Sequence, residues 1–170
     1  MAKKKGLVLR EIVLFGVLGA LTFAAKVAMS FLPNIEPVSL FVMLFAVVFG
    51  RKCVYPIYVY VALELIVYPM DLWSIAYLYV WAVLALGAWL LKKAEGPLPF
   101  AVLSCAFGMA FGGLCALVYL VVEGPASAFA WWINGIPYDI PHAIGNFAIA
   151  LAAFTPLRRL LERLYRNIRK

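Results

Sequence analysis

Residue types able to do chemistry gather in one stretch of the C-terminal third. Trp131-Trp132-Ile133-Asn134-Gly135-Ile136-Pro137-Tyr138-Asp139-Ile140-Pro141-His142-Ala143-Ile144-Gly145-Asn146 holds a carboxylate, the chain's one imidazole and an amide. Asp139, His142 and Asn146 fall at i, i+3 and i+7, so in a helix their side chains share one face. Three hydrogen-bonding groups aligned in an apolar helix, just after two tryptophans, suit the binding of a small polar molecule, with Trp132 as a ring to cover it. Asp139 alone also has a structural reading, because an acid in a helix's first turn is favoured by the helix dipole. The dipole does not account for His142 and Asn146.

Glu64 is a second candidate, lying deep in an apolar run with Tyr60 and Tyr68 four residues to either side on the same helical face. It reads equally as part of a polar strip facing a binding site or as a structural partner of Lys26, a cation at membrane depth. Trp73, Tyr77 and Trp81 repeat the four-residue spacing, as the wall of a ligand site or as interfacial anchors in lipid. Glu36 adds a carboxylate in the connection after the first apolar run.

Other chemistries lack their parts. A serine nucleophile needs a permissive turn and a base, and none of Ser30, Ser39, Ser74, Ser104 and Ser127 lies between glycines, although His142 and Asn146 give an H-x-x-x-N pair. One histidine without an H-E-x-x-H pattern cannot build a metalloprotease site, so no metal site is expected. Cys53, Cys105 and Cys115 have no C-x-x-C spacing and read as inert thiols in apolar runs. No glycine-rich phosphate loop is present, so ATP is not bound in the P-loop manner. No cofactor is implied.

The elements that must position these residues are membrane spans. Of 170 residues, 66% are hydrophobic and 14% charged, more apolar surface than a water-soluble domain of this size can hide. The runs are continuously apolar rather than alternating, which excludes a barrel and leaves helices. The expectation is an all-α integral membrane protein, one six-helix transmembrane domain over residues 1–170. The runs extend from Leu7 to Leu32, Val38 to Phe49, Cys53 to Tyr68, Ile75 to Leu91 and Leu98 to Val122, with a sixth ending at Thr155-Pro156. The second is only about 18 Å long as a helix, short of the roughly 30 Å hydrocarbon core. Pro137 and Pro141 argue that the sixth helix starts near Pro137 or Tyr138, leaving Ala126 to Ile136 as an outer loop or short interfacial helix. The stretch after Lys3-Lys4-Lys5 is long and lacks an A-x-A site, so it reads as a retained first span.

Charge gives the orientation. Lys3, Lys4, Lys5 and Arg10, then Arg51 and Lys52, then Lys92 and Lys93, then the six basic residues from Arg158 to Lys170 fall in alternate connections or at the ends, while the connections between them contain no Lys or Arg. The positive-inside rule puts both termini in the cytoplasm. The net charge of +7 thus lines one membrane face and a tail, which disfavours nucleic acid and favours anionic lipid or an acidic partner.

Gly16, Ala20, Ala24 and Ala28 recur every four residues in the first helix, a smooth stripe for close packing inside the bundle or against a separate membrane protein. Gly108, Gly112 and Ala116 make a second stripe, better suited to internal packing. With these stripes, the six-span plan, the Leu32-Pro33-Asn34-Ile35-Glu36-Pro37-Val38 connection and the polar sixth helix, the chain resembles the S component of an energy-coupling factor (ECF) transporter. The resemblance covers nearly the whole chain.

It implies a substrate-capture subunit in a prokaryotic cytoplasmic membrane, not an enzyme. Its pocket would lie in the outer half, capped by the first connection and walled by helices four to six. The first-helix stripe would dock a transmembrane coupling subunit that works with two cytoplasmic ATPases. Metal-ion members of related systems use an N-terminal histidine, which Met1-Ala2-Lys3 lacks. Carboxylates outnumber Lys26 in the outer half, so a flat heterocycle, neutral or cationic, fits better than a polyanion such as folate. A pyrimidine or pyridine vitamin precursor, a queuosine-related deazapurine and part of a corrinoid all suit that description. A membrane enzyme using Asp139 and His142 as acid and base, or a subunit binding only protein, would use the same residues differently.

Overall fold

Each apolar run bounded by proline, glycine or charge folds into a helix in the computed structural model, which describes residues 7–32 and 34–169. The order is α1 (Leu9–Ala28), α2 (Val38–Phe49), a 3-10 turn (Gly50–Cys53), α3 (Val54–Val67), α4 (Leu72–Leu90), α5 (Leu98–Val122) and α6 (Pro125–Ile168). No strand occurs among the described residues. Five helical stretches are long and apolar enough to cross a membrane: α1, the run Val38–Val67, α4, α5 and α6. Lys3, Lys4, Lys5, Pro33 and Lys170 lie outside the described residues.

Two boundaries differ from the sequence expectation. Helix α4 starts at Leu72 rather than Ile75, because the Asp71 carboxylate accepts from the Leu72 N–H at 2.6 Å while Ser74 Oγ accepts from the Asp71 N–H at 3.2 Å. This reciprocal cap brings Trp73 inside the helix. The larger correction is α6, which runs unbroken for 44 residues through Pro137, Pro141 and Pro156. Ala126 to Ile136 is therefore its first three turns, not a loop. Each proline removes one ladder hydrogen bond, but spans packed on a neighbouring helix tolerate that loss. Pro137 and Pro141 are also one turn apart, so both defects lie on the same side of α6.

The Val38–Val67 run doubles back. Gly50 adopts φ 56°, a left-handed conformation suited to glycine, and opens the 3-10 turn. Contacts on either side prove the reversal. Lys52, in the turn, donates to Glu11 near the start of α1, whereas Glu64, near the end of α3, meets Lys26 near the end of α1. Ser39, at the start of α2, bonds Asn146 of α6.

The bundle therefore has two chemically distinct ends. At the basic end, Glu11 is 2% exposed and accepts from Lys52 Nζ at 2.7 Å and from Tyr165 Oη at 2.9 Å. Arg158 reaches the carbonyls of Lys92 and Ala94 at the same end. The far end carries Lys26, Glu36, Glu64, Asp71 and Glu123. Between them, α2 is the most enclosed element, nine of its twelve residues being buried, so neighbouring helices rather than length shield it.

The most extensive helix contact joins α5 and α6. A Cβ on Gly108 would come within 2.7 Å of the Ala143 backbone, and one on Gly112 within 2.5 Å of Asp139 Oδ2. The second small-residue stripe thus packs internally. The first does not: Ala20, Ala24 and Ala28 are exposed and a Cβ on Gly16 would touch nothing, while α1 packs on α3 through Phe15, Leu18, Gly19 and Thr22.

Candidate binding site

At the acidic end, five helices contribute rings and charges to one buried cluster. Helix α3 turns Tyr60 and Glu64 inward, one turn apart, and α1 brings Lys26, whose Nζ lies 2.6 Å from Glu64 Oε2. The ammonium also stands 5.4 Å from the ring centres of Tyr68 and Tyr77. Helix α4 supplies Tyr77 and Trp81, edge to face at 5.3 Å. Tyr60 meets the Trp81 ring at 5.8 Å. Phe111 of α5 continues the chain of rings, 6.3 Å from Tyr77 and 5.9 Å from Trp81. His142 of α6 completes it, 5.0 Å from Phe111. A continuous aromatic path therefore links Glu64 to His142.

Below His142, Asn146 Nδ2 donates to Ser39 Oγ at 3.1 Å and to the Ser104 carbonyl at 3.3 Å. The α1–α2 connection lies across this part of α6, with Ile35 so close to Gly145 that an added Cβ would sit 3.1 Å from its side chain. The next residue, Glu36, is half-buried. Burial pushes its carboxyl up to about 7, with Lys26 pulling it back and Glu64 adding to the rise.

Five buried atoms in this region have no hydrogen-bond partner among the described residues: Tyr60 Oη, Glu64 Oε1, Trp81 Nε1, Ser104 Oγ and His142 Nε2. Buried polar atoms are nearly always satisfied, and each orphan costs about 1–3 kcal/mol. Together they offer a carboxylate acceptor, an indole donor and groups able to play either part, between flat aromatic walls. That combination recognises a planar molecule carrying both donors and acceptors. Among the described residues, no three His, Cys, Asp or Glu side chains converge as a metal ion would require.

Of the residues singled out from sequence, Glu36, Glu64, Tyr77, Trp81, His142 and Asn146 come together here. Trp132 and Asp139 sit apart, on the α5 seam. Asp139 accepts from the Gly112 N–H at 3.1 Å through both oxygens, and Trp132 is 46% exposed with its ring edge over Gly113. Glu64 and Lys26 form the pair that was one of the two readings for Glu64, yet its second oxygen stays unpartnered. Trp73 meets Tyr77 at 5.3 Å, at the margin of the cluster.

Sequence reasoning missed three participants. Ser104 precedes Gly108 and Gly112 at the same four-residue spacing, so the stripe itself held the signal. Ser39 and Phe111 carried none that would separate them from other residues of their type. Comparison with protein-family models, with curated proteins and with solved structures returns no match for this chain.

Proposed function

We propose that this chain is the substrate-capture subunit of an ECF-type importer, binding a heterocyclic micronutrient at the acidic end of a six-span bundle. The observation that carries this reading is the ring of unpartnered buried atoms, Tyr60 Oη, Glu64 Oε1, Trp81 Nε1 and His142 Nε2, along one aromatic path. Glu64, Trp81 and His142 would hydrogen-bond the ligand edge, Tyr77 and Phe111 would face its plane, and Glu36 on the overlying connection would cover it. Lys26 holds one Glu64 oxygen and so fixes the direction of the other.

Transport needs an energy source that this chain's motifs do not supply. The outward-facing stripe of Gly16, Ala20, Ala24 and Ala28 supports docking of a transmembrane coupling subunit driven by two ATPases, since among the described residues no other helix covers it. The basic end, by the positive-inside rule, would face the cytoplasm with both termini, in a prokaryotic cytoplasmic membrane.

The test is mass spectrometry of small molecules released by denaturing gently purified protein. Wild type should release one heterocycle, and Glu64→Gln or His142→Ala should weaken its binding about tenfold, the worth of one buried hydrogen bond. Release of lipid alone, with both variants indistinguishable from wild type, would overturn the proposal in favour of an assembly subunit. Turnover of a lipid or peptide abolished by His142→Ala would favour an enzyme.

A further inference from the structure

We propose that the cleft at the basic end, between the α4–α5 connection and the last third of α6, binds the phosphate of an anionic phospholipid. The cleft encloses about 490 Å³, and four cations line it: Lys92 and Lys93 from the connection, Arg158 and Arg159 from α6. Two carboxylates, Glu95 and Glu162, also line it, and the Arg158 Nε–H donates to Glu162 at 2.9 Å, leaving an excess of positive charge.

Two of the four cations, Arg158 and Lys92, are held in place before any ligand arrives. Arg158 also bonds the carbonyls of Ala94 and Lys92 at 3.5 and 3.4 Å, and Lys92 Nζ stands 4.1 Å over the Trp89 ring. The Arg158 guanidinium and the Lys92 ammonium therefore lose little freedom on meeting a phosphate. Gly96, at φ 72°, lets the connection turn into α5 along the same wall.

Position selects a lipid over free phosphate. Leu90 and Leu98, flanking the connection, are 68% and 56% exposed, and Leu151, one turn above the cleft residue Thr155, is also exposed. A phosphate in the cleft would thus have apolar helix surface beside it for acyl chains. Basic clefts between helices at the cytoplasmic surface suit anionic headgroups on electrostatic grounds.

The test uses purified full-length protein in nanodiscs of phosphatidylcholine, alone or mixed with phosphatidylglycerol, read by native mass spectrometry of the lipid retained after transfer to detergent. Wild type should retain phosphatidylglycerol in preference to phosphatidylcholine. Lys93→Gln combined with Arg159→Gln should weaken retention about 30-fold, from roughly 1 kcal/mol per basic residue near the surface. Arg163→Gln with Arg169→Gln removes equal charge outside the cleft and should leave retention near wild type. Equal loss in both double variants, or no preference between lipids, would overturn the site. So would delipidated protein that binds inorganic phosphate in the cleft while showing no lipid preference, since the ligand would then be a soluble anion.

Discussion

Glu64 divides its two oxygens between two roles. Oε2 meets Lys26 at 2.6 Å, and Oε1 has no partner among the described residues although the side chain is 2% exposed. A buried pair is costly to break, because the remaining charge stays desolvated. Lys26→Met should therefore destabilise the protein by about 3 kcal/mol, while Lys26→Met with Glu64→Leu should recover most of that loss, as thermal unfolding in detergent would show. An additive double variant would mean that the pair is not coupled. Glu36 predicts a pH dependence. Its carboxyl titrates near 7 in the fold against an ordinary value of 4.5, so the fold favours the protonated form. Stability should fall as pH rises from about 4.5 to about 7 and level off above, and Glu36→Gln should flatten that slope. A wild-type slope of opposite sign would show that the connection does not bury this acid. At this scale the sequence was informative where a polar group stood in an apolar run: Glu64, His142 and Asn146 were visible for that reason. It could not show that Asp139 turns toward the α5 backbone rather than toward His142, because a three-residue offset leaves room for both directions and a neighbouring helix decides.

Helix α5 meets α6 through missing side chains. Gly108 faces the Ala143 backbone and Gly112 faces Asp139, and a Cβ at either would require movement of the partner. The two sites should respond differently. Gly108→Ala pushes against backbone and should cost about 1–3 kcal/mol, the usual penalty of overpacking. Gly112→Ala pushes against one carboxylate, which can rotate away but then gives up its hydrogen bond to the Gly112 N–H. Gly16→Ala, with open space around it, should leave the isolated chain as stable as wild type or slightly better. Unfolding midpoints of the three variants in one detergent would decide this, and a Gly16→Ala penalty equal to that of Gly108→Ala would mean that the α1 stripe is packed after all. The period-four small residues were legible in both helices, but which stripe faced inward was not, since glycine and alanine spacing is the same for either use. The continuity of α6 was illegible for another reason. Proline's cost is fixed by what else satisfies the freed carbonyls, and here that is a tertiary matter, so Pro137 and Pro141 looked like a helix start while lying well inside one.

Across the whole molecule, charge and topology can be tested together. Arg51 and Lys52 lie in the turn of the α2–α3 hairpin, and that hairpin fixes how many times the chain crosses. If Val38–Val67 crossed once, the α1–α2 connection and the α3–α4 connection would open on opposite faces of the membrane. If it doubles back, as the Lys52–Glu11 and Lys26–Glu64 contacts require, both connections open on the same face. In the sequence, alternation of the basic residues favours the doubled-back path, whereas a 12-residue α2, about 18 Å long, argues against it. What the sequence left out was the shielding of α2 by its neighbours, which lets a short helix sit inside the bundle without meeting lipid along most of its surface. Single cysteines at Phe31, Met70, Glu95 and Ala126, all exposed, in a background lacking Cys53, Cys105 and Cys115, would read the topology through a membrane-impermeant maleimide. Phe31→Cys, Met70→Cys and Ala126→Cys should react on intact cells, and Glu95→Cys, beside Lys92 and Lys93, only in inside-out vesicles. Labelling of Phe31→Cys and Met70→Cys from opposite faces would make Val38–Val67 a single crossing and would take the two termini to opposite faces. Same-face labelling from the cytoplasmic side would keep the hairpin but invert the molecule, placing the Glu64 and His142 cluster where no external nutrient could reach it.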